Sequence, residues 1–266
     1  MSVNTYLDGI ASSLITKGNE KDSIDRSFSV FKSRMIDYFR EHESVDLIDV
    51  KIFGSYKRDT NLTSYADPDT DVDIMLVLED DCSTPQTYLE RVRRAVEAKY
   101  STSYIKQSSP TIVLQMHHIK FEITPAIYIP FLGKYQIKGS RDSWMFTNCT
   151  TDLSNITTAN GKNHYQIKPV IRLVKYWNVT KNRKSFSSYQ IEQQIVNHYL
   201  FDRCQFYNTK EYLYNCLCLI RVLAIYDDQK RRLERDIEVV RQALQLASDS
   251  YEIYAEDLIK SVIGEF

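Results

Sequence analysis

The sequence predicts an α+β protein in which a mixed-sheet lobe is followed by a helical lobe. Three observations predict it. Apolar residues alternate with period two only in the first half of the 266-residue chain. Residues 139–166 are rich in Thr, Asn, Ser and Gly without clear periodicity, and the apolar residues beyond them recur at helical spacing. We therefore divide the chain into domains 1–150 and 151–266 and expect the functional site in a cleft between them.

Helices and strands alternate in the first lobe. A long amphipathic helix is predicted by Ile24, Phe28, Phe31, Met35 and Phe39. Alternation predicts strands at 48–52 and 72–78, and a hairpin of 111–116 with 119–124 that turns at His117 and His118. Between them, Thr84 and Pro85 predict the N-cap and first turn of another helix.

The second lobe is predicted to be helical throughout. Four apolar stripes with helical spacing lie within residues 170–177, 191–199, 213–223 and 233–247. Each stripe leaves a polar face, as expected for helices that pack on one side.

Composition excludes several classes of protein. Lys and Arg number 34 against 35 Asp and Glu, a net charge of −1, which argues against a protein that coats nucleic acid or an anionic membrane by bulk charge. The first residues lack a secretory signal pattern, and no run of eighteen apolar residues occurs. We therefore expect no membrane partner. The five cysteines form no C-x-x-C pair, and we expect a cytoplasmic protein with reduced thiols.

Three carboxylates are candidates for catalysis. Asp71 and Asp73 lie two residues apart at the start of a strand and therefore share one face, and Glu122, between Phe121 and Ile123, faces away from the core. Such oxygen ligands suit Mg²⁺. The alternatives are a solvated Asp-x-Asp loop and an ion pair of Glu122 with Lys120.

Candidate phosphate-binding residues lie on both sides of this cluster. Gly54 allows close approach of a backbone amide, and Ser55 adds a hydroxyl, although a Gly-Ser pair alone is a turn signal. In the second lobe Lys168, Arg172 and Lys175 predict one basic helix face. Ser188 and Tyr189 precede the next apolar stripe, where a helix N-terminus binds phosphate and an aromatic ring stacks on a base; taken alone, Tyr189 would be assigned to the core.

Five motifs in fixed order carry a family resemblance. The chain contains GSYKRDTNL, DPDTDVDIMLVL, KFEITPAI, IRLVKYWN and SSYQIEQQIV, and from about Phe53 to Val196 it resembles the cGAS/DncV-like nucleotidyltransferases, or CD-NTases. That family is related to the oligoadenylate synthetases and, more remotely, to polymerase-β type enzymes. The third carboxylate of the family is usually Asp, whereas this chain has Glu122. The zinc insertion of the animal DNA sensor is absent, so activation by double-stranded DNA is not implied.

The resemblance implies a polymerase-β-like first lobe, an oligoadenylate-synthetase-like second lobe and a role for each candidate residue. Asp71, Asp73 and Glu122 would bind two Mg²⁺ ions, for which Mn²⁺ can substitute. The implied nucleotide-binding residues are Gly54 and Ser55 for the donor triphosphate, Lys175 and Ser188 for phosphates and Tyr189 for the donor base.

The implied activity is template-independent joining of ATP, GTP or pyrimidine nucleoside triphosphates into a cyclic di- or trinucleotide second messenger in bacterial anti-phage (CBASS) signalling. The chain is expected to act as a monomer, and a regulatory protein partner is left open. The alternatives are a polymerase-β type transferase acting on RNA, a drug or a protein, and a nucleotide-sensing pseudoenzyme. Base choice, linkage and product size do not follow from the sequence.

Overall fold

A computed structural model describes residues 2–117, 119–147, 149–201 and 206–264. The chain forms two compact units, neither of which is continuous in sequence. The sheet unit comprises Lys17–Arg58 and Asp69–Asp152, and the helical unit comprises Met1–Thr16, Asp59–Pro68 and Leu153–Phe266. The last crossing between the units thus lies two residues from the division drawn from the sequence. The helical unit also takes in two earlier segments that the sequence pattern did not separate.

The sheet unit is built on a mixed sheet. Its strands are β1 (Leu47–Ile52), β2 (Val72–Leu78), β3 (Tyr104–Ser108), β4 (Thr111–Gln115), β5 (Lys120–Ile129), β6 (Lys134–Lys138) and β7 (Trp144–Thr147). The main order is β1-β2-β5-β4-β3, and β6 pairs with β5 and β7. Among these pairs, β2 with β5 is parallel and the others are antiparallel.

Apolar alternation fixes which side chains of this sheet face the larger core. Ile74 and Leu76 of β2 and Phe121 and Ile123 of β5 are fully buried in one core with residues of two helices. The helices of this unit are α2 (Gly18–His42), the short α3 (Gly54–Lys57) and α4 (Pro85–Lys99). Burying each large apolar side chain contributes about 1.5–3 kcal/mol, and a register slip by one residue would turn these side chains to the other face. The residues between them, including Asp73 and Glu122, are therefore held on the opposite face.

The helical unit packs around one buried helix. Its helices are α1 (Val3–Ser13), α5 (Cys149–Lys162, which begins at the end of the sheet unit), α6 (Ile167–Thr180), α7 (Ser188–Phe201), α8 (Thr209–Leu219), α9 (Asp227–Ser248) and α10 (Glu252–Ile263). Ten of the fourteen residues of α6 are buried, and α6 contacts α1, α7, α8 and α10. The indole of Trp177 in α6 donates a hydrogen bond to Asp236 of α9 at 2.9 Å. Within the described ranges, no helix combines the length and apolarity needed to cross a membrane.

The structure confirms the α+β class and the elements with strong periodicity. Strands β1 and β2 and helices α2, α4, α6, α7, α8 and α9 lie where the pattern predicts them, and Thr84 caps α4 by accepting from the backbone N–H of Thr87. β4 and β5 pair as a hairpin, whose turn includes His118, outside the described residues.

The sequence missed α1, α5, α10, β3, β6 and β7. The reading of 139–166 as aperiodic was wrong for α5, which buries only Ile156 and Ala159 and is otherwise rich in Thr and Asn. Such residues have low helix propensity, so packing rather than local preference decides this helix. β3 lies at the edge of the sheet, and none of its five residues is fully buried. Its sequence therefore gives a weak strand signal, and pairing with β4 stabilises it as a strand.

An ion pair supports the connection from β2 to α4. Arg91 Nη2 lies 2.8 Å from Asp81 Oδ2, and the Tyr88 hydroxyl lies 2.7 Å from Asp81 Oδ1. The Tyr88 hydroxyl also accepts from the backbone N–H of Asp81 at 2.8 Å. The hydrogen bond from Arg91 is the main reason that the pKa of Asp81 lies well below its usual range, with a further contribution from Tyr88.

We predict that Asp81→Asn lowers the melting temperature of the sheet unit more at pH 7 than at pH 3. The folded-state pKa is depressed, so the stabilisation is complete above the unfolded-state value near pH 4 and is lost as the pH falls towards the folded-state value. Because Asp81 is exposed, the effect at pH 7 should be about 2–4 °C. Thermal unfolding followed by circular dichroism measures it, with Asp80→Asn as the matched control. An equal loss at both pH values would contradict the prediction.

Candidate functional site

The parallel pairing of β2 and β5 brings the three candidate carboxylates together. Asp73 lies directly opposite Glu122 in the register of these strands, on the face away from the core. Paired strands are about 4.8 Å apart, so the two side chains are neighbours. Asp71 immediately precedes β2 and lies on the same face as Asp73, within hydrogen-bonding reach of Glu122. The structure thus places the predicted cluster in one unit.

The charges of neighbouring carboxylates help to raise the pKa of Asp73 and of Glu122. Burial, followed by the charges of Asp71 and Glu122, raises the pKa of Asp73 to about 7, against the opposing influence of Arg58 and the backbone N–H of Ser55. Burial and the charge of Asp71 also raise the pKa of Glu122. Three acids on a partly desolvated surface repel one another, and a hard cation is the ligand that relieves such repulsion.

Lys120 lies inside this cluster. Its ammonium is 3.2 Å from Asp71 Oδ2 and 3.6 Å from Glu122 Oε1, and it donates to the backbone carbonyl of Asp69 at 2.7 Å. The ion pair of Glu122 with Lys120, left open by the sequence, is therefore formed. Over the described ranges, no group of three or more His, Cys, Asp or Glu side chains is arranged to hold a metal ion. The donor chemistry fits a divalent cation, while the ammonium of Lys120 occupies part of the same space.

Gly54 makes room for the Asp73 carboxylate. The φ of Gly54 is +67°, and a Cβ at this position would lie 1.7 Å from Asp73 Oδ2. The backbone N–H of Phe53 donates to the Asp73 carbonyl at 3.0 Å, and the backbone N–H of Ser55 donates to the Asp73 carboxylate. The Gly-Ser turn therefore positions a carboxylate in this structure. Triphosphate binding by Gly54 and Ser55 stays a prediction.

The basic residues of α6 contact the chain's own segment at Asp59 and Thr60. Lys168 Nζ lies 2.8 Å from Asp59 Oδ2, Arg172 Nη1 donates to the Asp59 carbonyl at 2.8 Å, and Lys175 Nζ donates to the Thr60 carbonyl at 3.0 Å. The three cations share one helix face, as their spacing predicts. Arg172 and Lys175 are buried in these contacts.

Lys175 forms a buried ion pair with Glu192 of α7. Their side chains approach to 2.8 Å and are only 4% and 1% exposed. The Thr60 hydroxyl donates to the same Glu192 oxygen at 2.5 Å. Burial of a charge is costly unless the charge is paired, and here the two charges pair with each other and form hydrogen bonds with Thr60. The structure thus gives Lys175 a structural partner, and its contact with phosphate stays a prediction.

Ser188 and Tyr189 lie at the start of α7 and are exposed. Ser188 is the first residue of the fourteen-residue helix, where backbone N–H groups lack intrahelical partners. Tyr189 is 52% exposed, so its assignment to the core is wrong. Both residues belong to the helical unit, and their binding to a nucleotide stays a prediction.

Sequence reasoning missed two charged residues of these sites. Arg58 is buried in the sheet unit and lowers the pKa of Asp73 by its charge. Glu192 follows Ser188 by one helical turn and is the partner of Lys175. An acid inside an apolar stripe, between Ile191 and Ile195, was the available signal for Glu192. For Arg58 no such signal exists, because its position in a turn carries no periodicity.

Comparison with known proteins assigns the first part of the chain to a protein family. Residues 1–160 match the family model described as the Second Messenger Oligonucleotide or Dinucleotide Synthetase (SMODS) domain. A Bacillus cereus (strain VD146) protein described as a probable cyclic nucleotide synthase is 25% identical over 185 residues, which are 55% of this chain and 54% of that protein. The match thus spans about half the length of this curated relative.

Solved structures share the fold over nearly the whole chain. The Vibrio cholerae DncV cyclic AMP-GMP synthase, in complex with the linear intermediate pppA(3′,5′)pG, has a TM-score of 0.77 at 11% identity and covers 99% of this chain and 96% of its own. CdnC of Escherichia coli MS115-1, in complex with HORMA-deltaN, has a TM-score of 0.75 at 13% identity, with 98% and 97% covered. At these identities the likeness establishes the fold.

We predict that Gly54→Ala destabilises the sheet unit more than Gly133→Ala. Both glycines have positive φ values, +67° and +63°, but a Cβ at Gly133 would meet nothing within 4 Å. The control should lose about 1–2 kcal/mol from backbone strain, and Gly54→Ala a further 1–3 kcal/mol, roughly, from displacement of Asp73. Urea unfolding measures both. Equal losses would show that Asp73 does not depend on the space at Gly54.

We also predict that Glu192→Ala lowers the free energy of unfolding of the helical unit by about 3–5 kcal/mol, because it leaves Lys175 buried without its partner. Glu238→Ala, which breaks an exposed ion pair with Arg241 on α9, is the control and should cost far less, because solvent screens that pair. Urea unfolding followed by tryptophan fluorescence measures the difference. A loss for Glu192→Ala no larger than the control would mean that Lys175 does not depend on Glu192 for burial.

Proposed function

The chain belongs to the SMODS family, and on that premise we propose that it is a nucleotidyltransferase that joins nucleoside triphosphates into a cyclic di- or trinucleotide second messenger and releases pyrophosphate. The observation that carries the proposal is that Asp71, Asp73 and Glu122 lie on one face of the sheet. The absence of a side chain at Gly54 leaves the space that the Asp73 carboxylate occupies. Clustered carboxylates of raised pKa are typical of a site that handles metal-bound phosphates.

Asp71, Asp73 and Glu122 are the residues that would hold two Mg²⁺ ions, for which Mn²⁺ can substitute. Bound there, the ions supply Lewis-acid stabilisation of charge on the triphosphate and favour ionisation of the attacking hydroxyl. Asp73 is positioned by the Ser55 amide and by the space at Gly54, so its carboxylate is oriented before a ligand arrives. Glu122, whose pKa is raised, is suited to accept the proton of the acceptor ribose hydroxyl.

Donor binding is proposed for Gly54, Ser55, Lys175, Ser188 and Tyr189. The exposed ring of Tyr189 supports stacking on the donor base, and the exposed Ser188 at the start of α7 supports a phosphate contact. For Lys175 the proposal requires that the ammonium give up part of its contact with Glu192 and Thr60. ATP, GTP and pyrimidine triphosphates are the substrates proposed from the family.

The biological setting is proposed from the relatives. DncV is a cyclic AMP-GMP synthase, and CdnC was solved with ATP and with HORMA-deltaN. We therefore infer an anti-phage signalling (CBASS) role in the cytoplasm, without a nucleic-acid template, and a regulatory protein partner of the HORMA type. The catalytic chain itself is proposed to be a monomer.

The test is product formation from labelled nucleoside triphosphates with Mg²⁺ or Mn²⁺, with phosphatase-resistant products resolved by chromatography. Wild-type protein should form a cyclic product, and Asp73→Asn should abolish it, because losing a metal ligand removes several kcal/mol of transition-state stabilisation, roughly. Asp37→Asn changes a half-exposed acid on α2 outside the cluster, and as the control it should retain activity. Substantial activity in Asp73→Asn would misplace the site. Nucleotide binding without product would indicate a pseudoenzyme, and labelled RNA would indicate a polymerase-β type transferase.

A further inference from the structure

We propose that Lys120 is an internal counter-ion of the carboxylate cluster, which holds Asp71 and Glu122 in the metal-free protein and has to be displaced when a divalent cation binds. The inference rests on the proposed function, because it assumes that these carboxylates are metal ligands. It assigns to Lys120 a positioning role that the sequence motifs alone do not contain.

The strand register places Lys120 in the cluster. Val72 lies opposite Phe121 and Asp73 opposite Glu122 in the parallel pair of β2 and β5. One residue earlier on both strands, Asp71 lies beside Lys120. Side chains two residues apart share a face, so the four groups form two adjacent rows, one of Asp71 with Lys120 and one of Asp73 with Glu122.

Three oxygen atoms surround the ammonium group of Lys120. It lies 3.2 Å from Asp71 Oδ2 and 3.6 Å from Glu122 Oε1, and it donates to the Asp69 carbonyl at 2.7 Å. The contact with the Asp69 carbonyl is a hydrogen bond, and the two carboxylate contacts are ion pairs. The side chain is only 22% exposed. Lys120 is therefore arranged to neutralise carboxylates rather than to extend towards a phosphate.

A divalent cation and this ammonium compete for the same oxygens. Asp71 and Glu122 would both be metal ligands in the proposed site, and a cation bound to them would lie within a few ångströms of the Lys120 nitrogen. Repulsion between like charges at such distances is strong in a partly buried site. Lys120 thus stabilises the acidic cluster without metal and lowers its affinity for free cations. Metal binding by the nucleotide-free protein should be weak as a result.

The experiment is Mn²⁺ binding to nucleotide-free protein, measured from free Mn²⁺ by electron paramagnetic resonance at low ionic strength. We expect Lys120→Met to bind Mn²⁺ at least about tenfold more tightly than wild type, since one competing charge is removed. Lys120→Arg keeps the charge and should remain close to wild type. Lys134→Met removes an exposed lysine from β6 and is the control for net charge.

A second readout does not require metal. Without divalent cations, Lys120→Met should have a lower melting temperature than wild type, because Asp71 and Glu122 then repel each other. Adding Glu122→Gln to Lys120→Met should restore most of the loss. Should Lys120→Met fail to fold, Lys120→Gln, which retains hydrogen-bond donors, takes its place in both measurements.

Unchanged or weaker Mn²⁺ binding in the folded Lys120 variant would overturn the inference. If wild type binds Mn²⁺, Asp73→Asn loses that binding and the Lys120 variant matches wild type, the inference alone fails and the proposed metal site stands. If neither wild type nor any Lys120 variant binds Mn²⁺, the metal site itself is overturned, and the inference with it.

Discussion

The parallel pairing of β2 with β5 is the constraint on which the candidate site depends. Alternate apolar residues of both strands pack in the core that they share with two helices, so the side chains between them lie on the other face. On that face Met75, Val77 and Ala126 form a second, smaller core beyond the acids. The register then sets Asp73 against Glu122, although 48 residues of chain separate them. A slip of one residue would bury the acids and expose Ile74 and Ile123. The hydrophobic core therefore fixes the geometry of the acidic cluster.

The charge balance of the cluster follows from this placement. Three carboxylates held together by core packing are destabilising unless cations or amides oppose them. Lys120 lies beside Asp71 and Glu122, while Arg58 and the Ser55 amide favour the ionised form of Asp73. These groups reduce the repulsion between the carboxylates in the folded protein. A divalent cation carries a higher charge than any of these groups and would therefore bind the same carboxylate oxygens more strongly.

The helical unit uses its charges for a different purpose. The chain leaves the sheet unit after Arg58 and returns at Asp69, and the intervening segment belongs to the helical unit. Lys168, Arg172 and Lys175 of α6 bind its backbone and side chains at Asp59 and Thr60. The segment that joins the Gly-Ser turn to the Asp-x-Asp pair is thus held by three cations, of which Arg172 and Lys175 are buried. Basic residues that resembled a substrate-binding face in the sequence serve first to hold this segment.

The sequence by itself determined the α+β class, the periodic elements and the face on which Asp71, Asp73 and Glu122 lie, because alternation and helical spacing are local properties of the chain. Only the tertiary structure decided the parallel register that joins two of these acids, the burial of Lys175 against Glu192 and the position of Lys120. It also decided α5, whose residues favour no helix by themselves. Each of these depends on residues distant in sequence, and pairing energies between distant residues leave no periodic signal in either partner.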